Sequence, residues 1–344
     1  MTGPGTARAA SPEAAAAQES RTSPASRTVG LYLARRITGT LLLLAVMSLL
    51  IFSLLYLEPG DIVRNLLGTR PANPQTVAQI RAEYHLNESF VQQYLTWLGN
   101  AVTGNFGTSV QSGQPVAAAI TSRLALTIEL VVFAFCLAVA AGVPAGVLAG
   151  VRHGRSTDRA VVGGAVLFVS APAFALGLLM LYLFADYLNW FPIYGTGNGV
   201  AGRLNHLLLP AATLALGLGG FILKITRAAV IREMEQDYVM FARARGLQNR
   251  QVLAVVLRNA SVPVGTSLGL ALAYLVGSTV LVEQVFSLPG LGTLLNNAVI
   301  FKDVPVVQAL TLLIAAAIAL SALLVDLAYL ALDPRIRHEM TAAR

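Results

Sequence analysis

Six stretches of this sequence run for about twenty residues or more with few charges inside them, the length an α-helix needs to cross a hydrocarbon layer about 30 Å thick. They are Ile37–Leu57, Leu124–Gly150, Ala160–Leu188, Leu207–Ile225, Pro263–Val285 and Val304–Leu332. The strands of a membrane barrel would read as alternating segments of about ten residues, and these runs are continuous. The pattern predicts an all-α fold: a polytopic membrane helical bundle with six transmembrane helices, the longer ones tilted or running past the lipid.

The polar intervals carry the rest of the organisation. Residues 1–30, rich in Ala, Ser, Pro and Thr, lack apolar periodicity and read as a disordered tail. The apolar run that follows is too long for a signal peptide and ends in "EPGD" instead of a small-residue cleavage site, so it stays as an anchor. Residues 58–123 open on the turn signal Glu58, Pro59, Gly60, Asp61. Val77, Ile80 and Tyr84, and then Val91, Tyr94, Leu95 and Leu98, follow helical spacing, with Asn87 as the candidate cap of the second helix. Their apolar stripes need cover, which predicts an amphipathic cap on the bundle surface.

One polar interval is patterned differently. In "DYVMFARARGLQNR", Asp237–Arg250, the residues Met234, Tyr238 and Phe241 give one narrow apolar helical face. Acidic residues lead this helix, and Arg243 and Arg245 trail it, the order that complements a helix dipole. Gly246 stops it in a left-handed cap. A second helix starts near Asn249 and carries Val252, Leu253, Val256 and Leu257 toward Pro263. Two readings stay open for the first helix: docking into a groove on a soluble partner, or lying in the lipid interface.

Composition agrees with a membrane protein, since 56% of the 344 residues are hydrophobic and 12% charged. The net charge of +7 raises the question of nucleic acid, and position answers it. Of the 24 Lys and Arg residues, Arg64, Arg70, Arg81, Arg123, Arg203 and Lys302 fall in one alternate set of loops; the other eighteen fall in the opposite set. That is the positive-inside signal. It predicts cytoplasmic N- and C-termini, a cytoplasmic Asp237–Arg250, and an external segment 58–123, with the lipid bilayer rather than nucleic acid as the partner of the charge. Cys136 is the only cysteine, so neither an intrachain disulfide nor a cysteine zinc site is possible.

Catalytic patterns are missing where they would be needed. Neither Lys224 nor Lys302, the two lysines, follows a phosphate-cradling glycine loop, so the chain is not its own ATPase. His85, His153, His206 and His338 are scattered and show no metal or triad spacing, and no serine nucleophile elbow is expected. Glu129, Glu283 and Asp326 sit within about two turns of span ends. Such acids serve as structural hydrogen-bonders or snorkelling groups, or alternatively as a proton relay. Pro144 and Pro172 fall inside spans two and three and predict kinks, for packing or beside a pathway.

Several motifs, in order, resemble the permease subunits of bacterial ATP-binding-cassette importers, specifically the dipeptide and oligopeptide permease family. "DYVMFARARGLQNRQVLAVVLRNASVP" looks like the family's cytoplasmic coupling motif, with Ala242, Gly246 and Pro263 in the matching places. "VEQVFSLPGLGTLL" resembles its outer loop, "KDVPVVQ" the continuation, and "VDLAYLALDPRIR" its C-terminal signature. "YLARRITGTLLLL", "LEPGD" and "GNFGTSVQSGQPVAAAITSRLALT" resemble its N-terminal third. The likeness spans roughly residues 30 to 338. Met240 and Phe241 depart from it, standing where the wider superfamily has Glu and Ala, and Ala322 stands where an asparagine is expected.

The resemblance implies the type I importer permease architecture. Its parts would be a tail 1–30, a first helix with external cap 31–123, a permease core 124–334 with a coupling helix 232–248, and a cytoplasmic tail 335–344. It implies no catalytic residue, no metal and no cofactor bound by this chain, with ATP and Mg on partner subunits. The implied partners are a homologous second permease, two ATP-binding subunits, an extracytoplasmic substrate-binding protein and a peptide substrate. Asp237, Tyr238, Phe241, Ala242, Arg243, Ala244, Arg245 and Gly246 would form the ATPase-coupling helix. Glu283, Phe286, Pro289, Gly290 and Asp303 would belong to the pathway or outer gate. The alternatives are a same-family permease for nickel, glutathione or another small solute and, outside the class, an ion-gradient secondary transporter, which predicts inverted repeats that the sequence does not show, or a membrane scaffold whose charged loop recruits a partner.

Overall fold

The computed structural model describes residues 24–57, 60–67 and 73–332. Residues 1–23 of the predicted tail, Glu58 and Pro59 of the predicted turn, and the C-terminal end from residue 333 lie outside the described residues. The helices are α1 (Pro24–Leu57), α2 (Ile62–Leu67), α3 (Pro74–Glu83), α4 (Phe90–Val102), α5 (Val116–Val151), α6 (Ser156–Ser170), α7 (Ala173–Met180, continued as a π-helical turn Leu181–Tyr187), α8 (Gly199–Met234), α9 (Asp237–Ala244), α10 (Asn249–Val285), α11 (Leu291–Ile300) and α12 (Val304–Leu332). The first helix therefore begins inside the stretch read from composition as tail.

Among the described residues, five helical segments are long and apolar enough to cross a membrane: Leu33–Leu57, Val116–Val151, Gly199–Met234, Asn249–Val285 and Val304–Leu327. The third predicted span is a broken pair, with α6 and α7 bent by 103°. A proline disfavours helical backbone in the residue before it, and Ala171 is extended at φ −81, ψ 132 ahead of Pro172. The proline inside the apolar run predicts a kink there, and the structure has a full break. Pro144, Pro210 and Pro263, by contrast, sit inside continuous helices. The helix expected from Asn249 toward Pro263 is thus not separate from the fifth span. The two are one rod of 37 residues, about 55 Å long at 1.5 Å per residue.

The seam between α5 and α8 organises the core. Along α5 the buried positions Leu126, Leu130, Ala134, Ala138, Gly142, Gly146 and Gly150 recur every four residues, a single stripe that narrows toward its C-terminal end. A Cβ at Gly142 would lie 2.7 Å from the Gly219 carbonyl, and one at Gly146 would lie 2.6 Å from Thr226 Cβ and 2.7 Å from the Leu223 carbonyl. Lipid gives helices no hydrophobic reason to associate, so close backbone approach at small residues supplies the attraction. On its far side α8 meets α6 the same way, since a Cβ at Gly220 would lie 2.9 Å from the Ala165 carbonyl.

The predicted cap is present and rests on the upper part of α1. Its core joins Leu55 to Val63, Leu66, Leu67, Ile80 and Val110. Phe52 packs against Phe90, Tyr94 and Trp97 of α4, and Tyr94 Oη bonds Ser48 Oγ at 2.8 Å. The cap of α4 is Ser89, not Asn87. Ser89 Oγ accepts the Gln92 amide at 3.4 Å while Gln92 Oε1 accepts the Ser89 amide at 3.2 Å, a capping box that a lone Asn two residues earlier does not match.

Candidate functional site

Two groups of residues marked by the sequence lie at opposite ends of the α10 rod. At its start sits α9, wedged between the ends of α8 and α10. Val239 is 1% exposed and packs with Ala229, Val230, Val252, Val256 and Ala260; Met234, Tyr238 and Ala242 pack around this cluster. Tyr238 Oη donates to Glu233 Oε2 at 2.7 Å and also meets the Asn259 side chain, so one phenol ties α8 and α10 to the short helix. Burial, with the Glu233 carboxylate beside it, pushes the Tyr238 phenol above its ordinary value. A helix of eight residues is not stable alone in water, and these contacts hold α9 in place.

The outward face of α9 is a different set. Met240 and Phe241 are each 60% exposed, Leu247 is 38% exposed, and Asp237, Arg243, Ala244 and Arg245 are exposed around them. The predicted stripe Met234, Tyr238, Phe241 is therefore split. Its first two members pack inward, but Phe241 faces away and Val239 takes the inner position, because α9 meets two neighbours rather than one flat surface. Gly246 adopts φ +77. Its amide bonds the Arg243 carbonyl at 2.9 Å and the Leu247 amide bonds the Ala242 carbonyl at 3.1 Å, a Schellman ending that turns the chain into α10.

At the other end of α10, the carboxyl of Glu283 is fully buried. It accepts Thr127 Oγ1 at 2.6 Å and the amides of Gly292 at 2.6 Å and Thr293 at 3.2 Å. Thr127 Oγ1 in turn accepts the Leu291 amide at 2.9 Å. Glu283 and Thr127 together satisfy the first amides of α11, which a helix cannot satisfy itself. Gly290 and Gly292 make room, since a Cβ on Gly290 would fall 2.3 Å from Glu283 Cδ and one on Gly292 2.4 Å from Val280 Cα. Phe286 is buried in the main core, while Pro289 is exposed.

Asp303 builds a second buried joint, between the α11–α12 turn and the cap. It is 1% exposed and accepts Ser109 Oγ, the Val110 amide at 3.1 Å and the Gln111 amide at 3.2 Å. Of the five predicted residues, Glu283, Gly290 and Asp303 thus frame joints between helices, while Phe286 packs in the core and Pro289 is exposed. Of the other two acids marked by the sequence, Glu129 lies 2.6 Å from Arg203 Nε as an exposed ion pair, and Asp326 pairs with Arg36. Glu283 and Asp326 accept hydrogen bonds while Glu129 makes an ion pair, and the three sit on different helices without forming a chain.

Sequence reading passed over several residues that the structure brings together. Thr127 sits in an apolar run whose period marks only faces. Arg227 clamps Asp158 through Nε at 2.6 Å and Nη2 at 2.8 Å, with the Gly154 amide on Asp158 at 2.9 Å and His153 beside it. That clasp pins the α5–α6 turn to α8 near α9, and its members are 69 residues apart in the chain. "GTSLG", Gly265–Gly269, does have the spacing of a serine nucleophile elbow. It lies inside α10, where Ser267 is 4% exposed and donates to the Val264 carbonyl at 2.7 Å, so the strained strand-to-helix turn such a nucleophile needs is absent there. Among the described residues no group of three His, Cys, Asp or Glu side chains is placed to hold a metal ion.

Comparison with known proteins bears on the whole length. Residues 142–338 match the family described as the inner membrane component of binding-protein-dependent transport systems, and residues 30–131 match the N-terminal region of the same membrane component. A relative from Sinorhizobium fredii, named "Probable peptide ABC transporter permease protein", is 39% identical over 314 residues, covering 90% of this chain and 100% of the relative. A protein of Escherichia coli K12 named as a glutathione transport system permease is 37% identical over 309 residues, covering 90% and 99%. With its apolar helices, glycine seams and two joined ends, the chain belongs to the family of binding-protein-dependent transport system inner membrane components, as a multi-pass permease subunit of the bacterial inner membrane.

Proposed function

We propose that this chain forms half of the translocation pathway of an ATP-driven importer for di- and oligopeptides. A homologous second permease would complete the pathway, an extracytoplasmic binding protein would deliver substrate, and two separate subunits would bind and hydrolyse ATP with its Mg. The observation that carries the reading is the two-sided build of α9. One face is locked into α8 and α10 through Val239 and Tyr238, and the other presents Met240, Phe241 and two arginines outward. Such a helix passes a push from a docked subunit into two long rods. The asymmetry of Lys and Arg supports a cytoplasmic location for α9 and for both termini.

In this mechanism Phe241 and Met240 enter the ATPase groove, and Asp237, Arg243, Ala244 and Arg245 make its rim contacts. Closure of the ATPases moves α9 as one body with the ends of α8 and α10. The α10 rod carries the movement to the Glu283 joint, where α11 turns as its amides follow the carboxyl. Asp303 passes the movement on to the cap, so Glu283, Phe286, Pro289, Gly290 and Asp303 form the frame of an outer gate.

Peptide is favoured by the name of the Sinorhizobium relative, and glutathione, itself a short peptide, is the second reading by the name of the Escherichia one. Uptake of a labelled tripeptide and of labelled glutathione in cells lacking and regaining this chain separates them. Tripeptide uptake is expected to be lost and restored; loss of glutathione uptake alone selects the second reading. If neither changes, the peptide assignment fails.

A further inference from the structure

A cleft of about 550 Å³ opens between α1 and α12 at the α9 end of the bundle, away from both joints. That size lies within the roughly 300–1,000 Å³ of small-molecule sites. Arg35, Arg36 and Thr40 stand on its α1 side, with Asp326 opposite. Arg36 is paired with Asp326, which cancels one charge of each sign. Arg35 is exposed and has no carboxylate partner among the described residues, so the cleft keeps a net positive charge. Deeper in, the wall becomes apolar, formed by Leu43, Ala322 and Leu323. Seven residues of helix separate Arg36 from Leu43, about 10 Å.

A cation at the mouth and hydrocarbon about 10 Å deeper, on a helix whose apolar span begins at Leu33, reproduces the polarity gradient of one phospholipid. Basic pockets between transmembrane helices are suited to anionic headgroups. The neighbouring α1 side chains Leu41 and Leu42 are 61% and 65% exposed, a surface for lipid rather than water. We propose that this cleft is a binding site for an anionic phospholipid, its phosphate on Arg35 and an acyl chain along Leu43 and Leu323. A free phosphate ion would use the arginine and leave the apolar wall idle. The small side chain of Ala322 keeps the wall open.

The test uses the full chain purified in mild detergent and reloaded with vesicles of phosphatidylglycerol or phosphatidylcholine, with bound lipid counted by native mass spectrometry. Wild type is expected to retain phosphatidylglycerol about fivefold better than Arg35→Gln, the loss of one near-surface cation. Ala322→Phe, which fills the cleft and leaves charge alone, should lose it as well, and Arg81→Gln on the cap should not. Arg35→Gln touches only an exposed side chain, so the result stands even if Ala322→Phe folds poorly. Equal retention by wild type and Arg35→Gln, equal retention of phosphatidylcholine, or displacement of the lipid by millimolar inorganic phosphate would each overturn the proposal.

Discussion

Glu283 holds the amide of Gly292 at 2.6 Å across the turn that joins α10 to α11. The carboxyl reaches this amide because Gly290 and Gly292 have no Cβ, and because Ser287, at φ +51, turns α10 out through a Schellman ending in which the Leu288 amide bonds the Glu283 carbonyl at 2.8 Å. Glu283→Ala removes the acceptor for three donors, one of them the buried Gly292 amide and two part-buried. A hydrogen bond to such a group is worth about 1.5–3 kcal/mol, and the expected loss is roughly 3 kcal/mol after partial rearrangement. Thermal unfolding in detergent measures it. Melting unchanged from wild type would mean that the joint is not structural.

The α5–α8 seam makes a prediction that separates space from helix propensity. Gly146→Ala puts a methyl against the Leu223 carbonyl and Thr226, and the backbone on that side has nowhere to go. Gly163→Ala, with nothing within 4 Å, adds the same methyl in open space. Alanine is the better helix former by about 1 kcal/mol, so Gly163→Ala should hold or raise stability. Gly146→Ala should lower it by about 1–3 kcal/mol, the usual cost of overpacking. If both substitutions behave alike in the same melting assay, the seam is looser than its distances.

Much of this molecule was legible because lipid imposes a one-dimensional rule. Runs of about twenty apolar residues read as spans, and Gly246 read as a stop because only a left-handed residue fits between two helices there. The failures share a cause. Pro144, Pro172 and Pro263 carry the same local signal, a proline in an apolar run. Yet the chain breaks by 103° at Pro172 and runs as unbroken helix through Pro144 and Pro263. Thr127, Asp158 and Arg227 were invisible because their partners lie far along the chain, and period reports faces, not partners. Phe241 was misplaced because a stripe drawn for one surface does not apply to a helix held by two.

The split of α9 into inner and outer faces yields opposite phenotypes for two side chains of one short helix. Val239→Ala empties part of a closed cluster and should destabilise the chain by about 2 kcal/mol. Phe241→Ala removes an exposed ring and should leave stability within about 0.5 kcal/mol. Copurification reverses the order of damage. Phe241→Ala should lose most of the ATP-binding subunits at normal membrane levels of the chain, since exposed aromatic anchors dominate docking. Full retention of those subunits would remove Phe241 from the docking face.

Gly246 tests the coupling itself. A Cβ there meets nothing within 4 Å, so any effect of substitution comes from the backbone at φ +77 and not from crowding. A β-branched residue in that conformation costs about 1–2 kcal/mol or more, while asparagine visits it readily. Gly246→Val should straighten or shift the bend, leaving insertion and ATPase binding in place while peptide uptake falls well below ATP hydrolysis in reconstituted vesicles. Gly246→Asn should keep most of the uptake. The pair matters more than either member: if valine and asparagine transport equally, the bend at Gly246 does not carry the push from α9 into α10, and the transmission must run through Tyr238 and α8 alone.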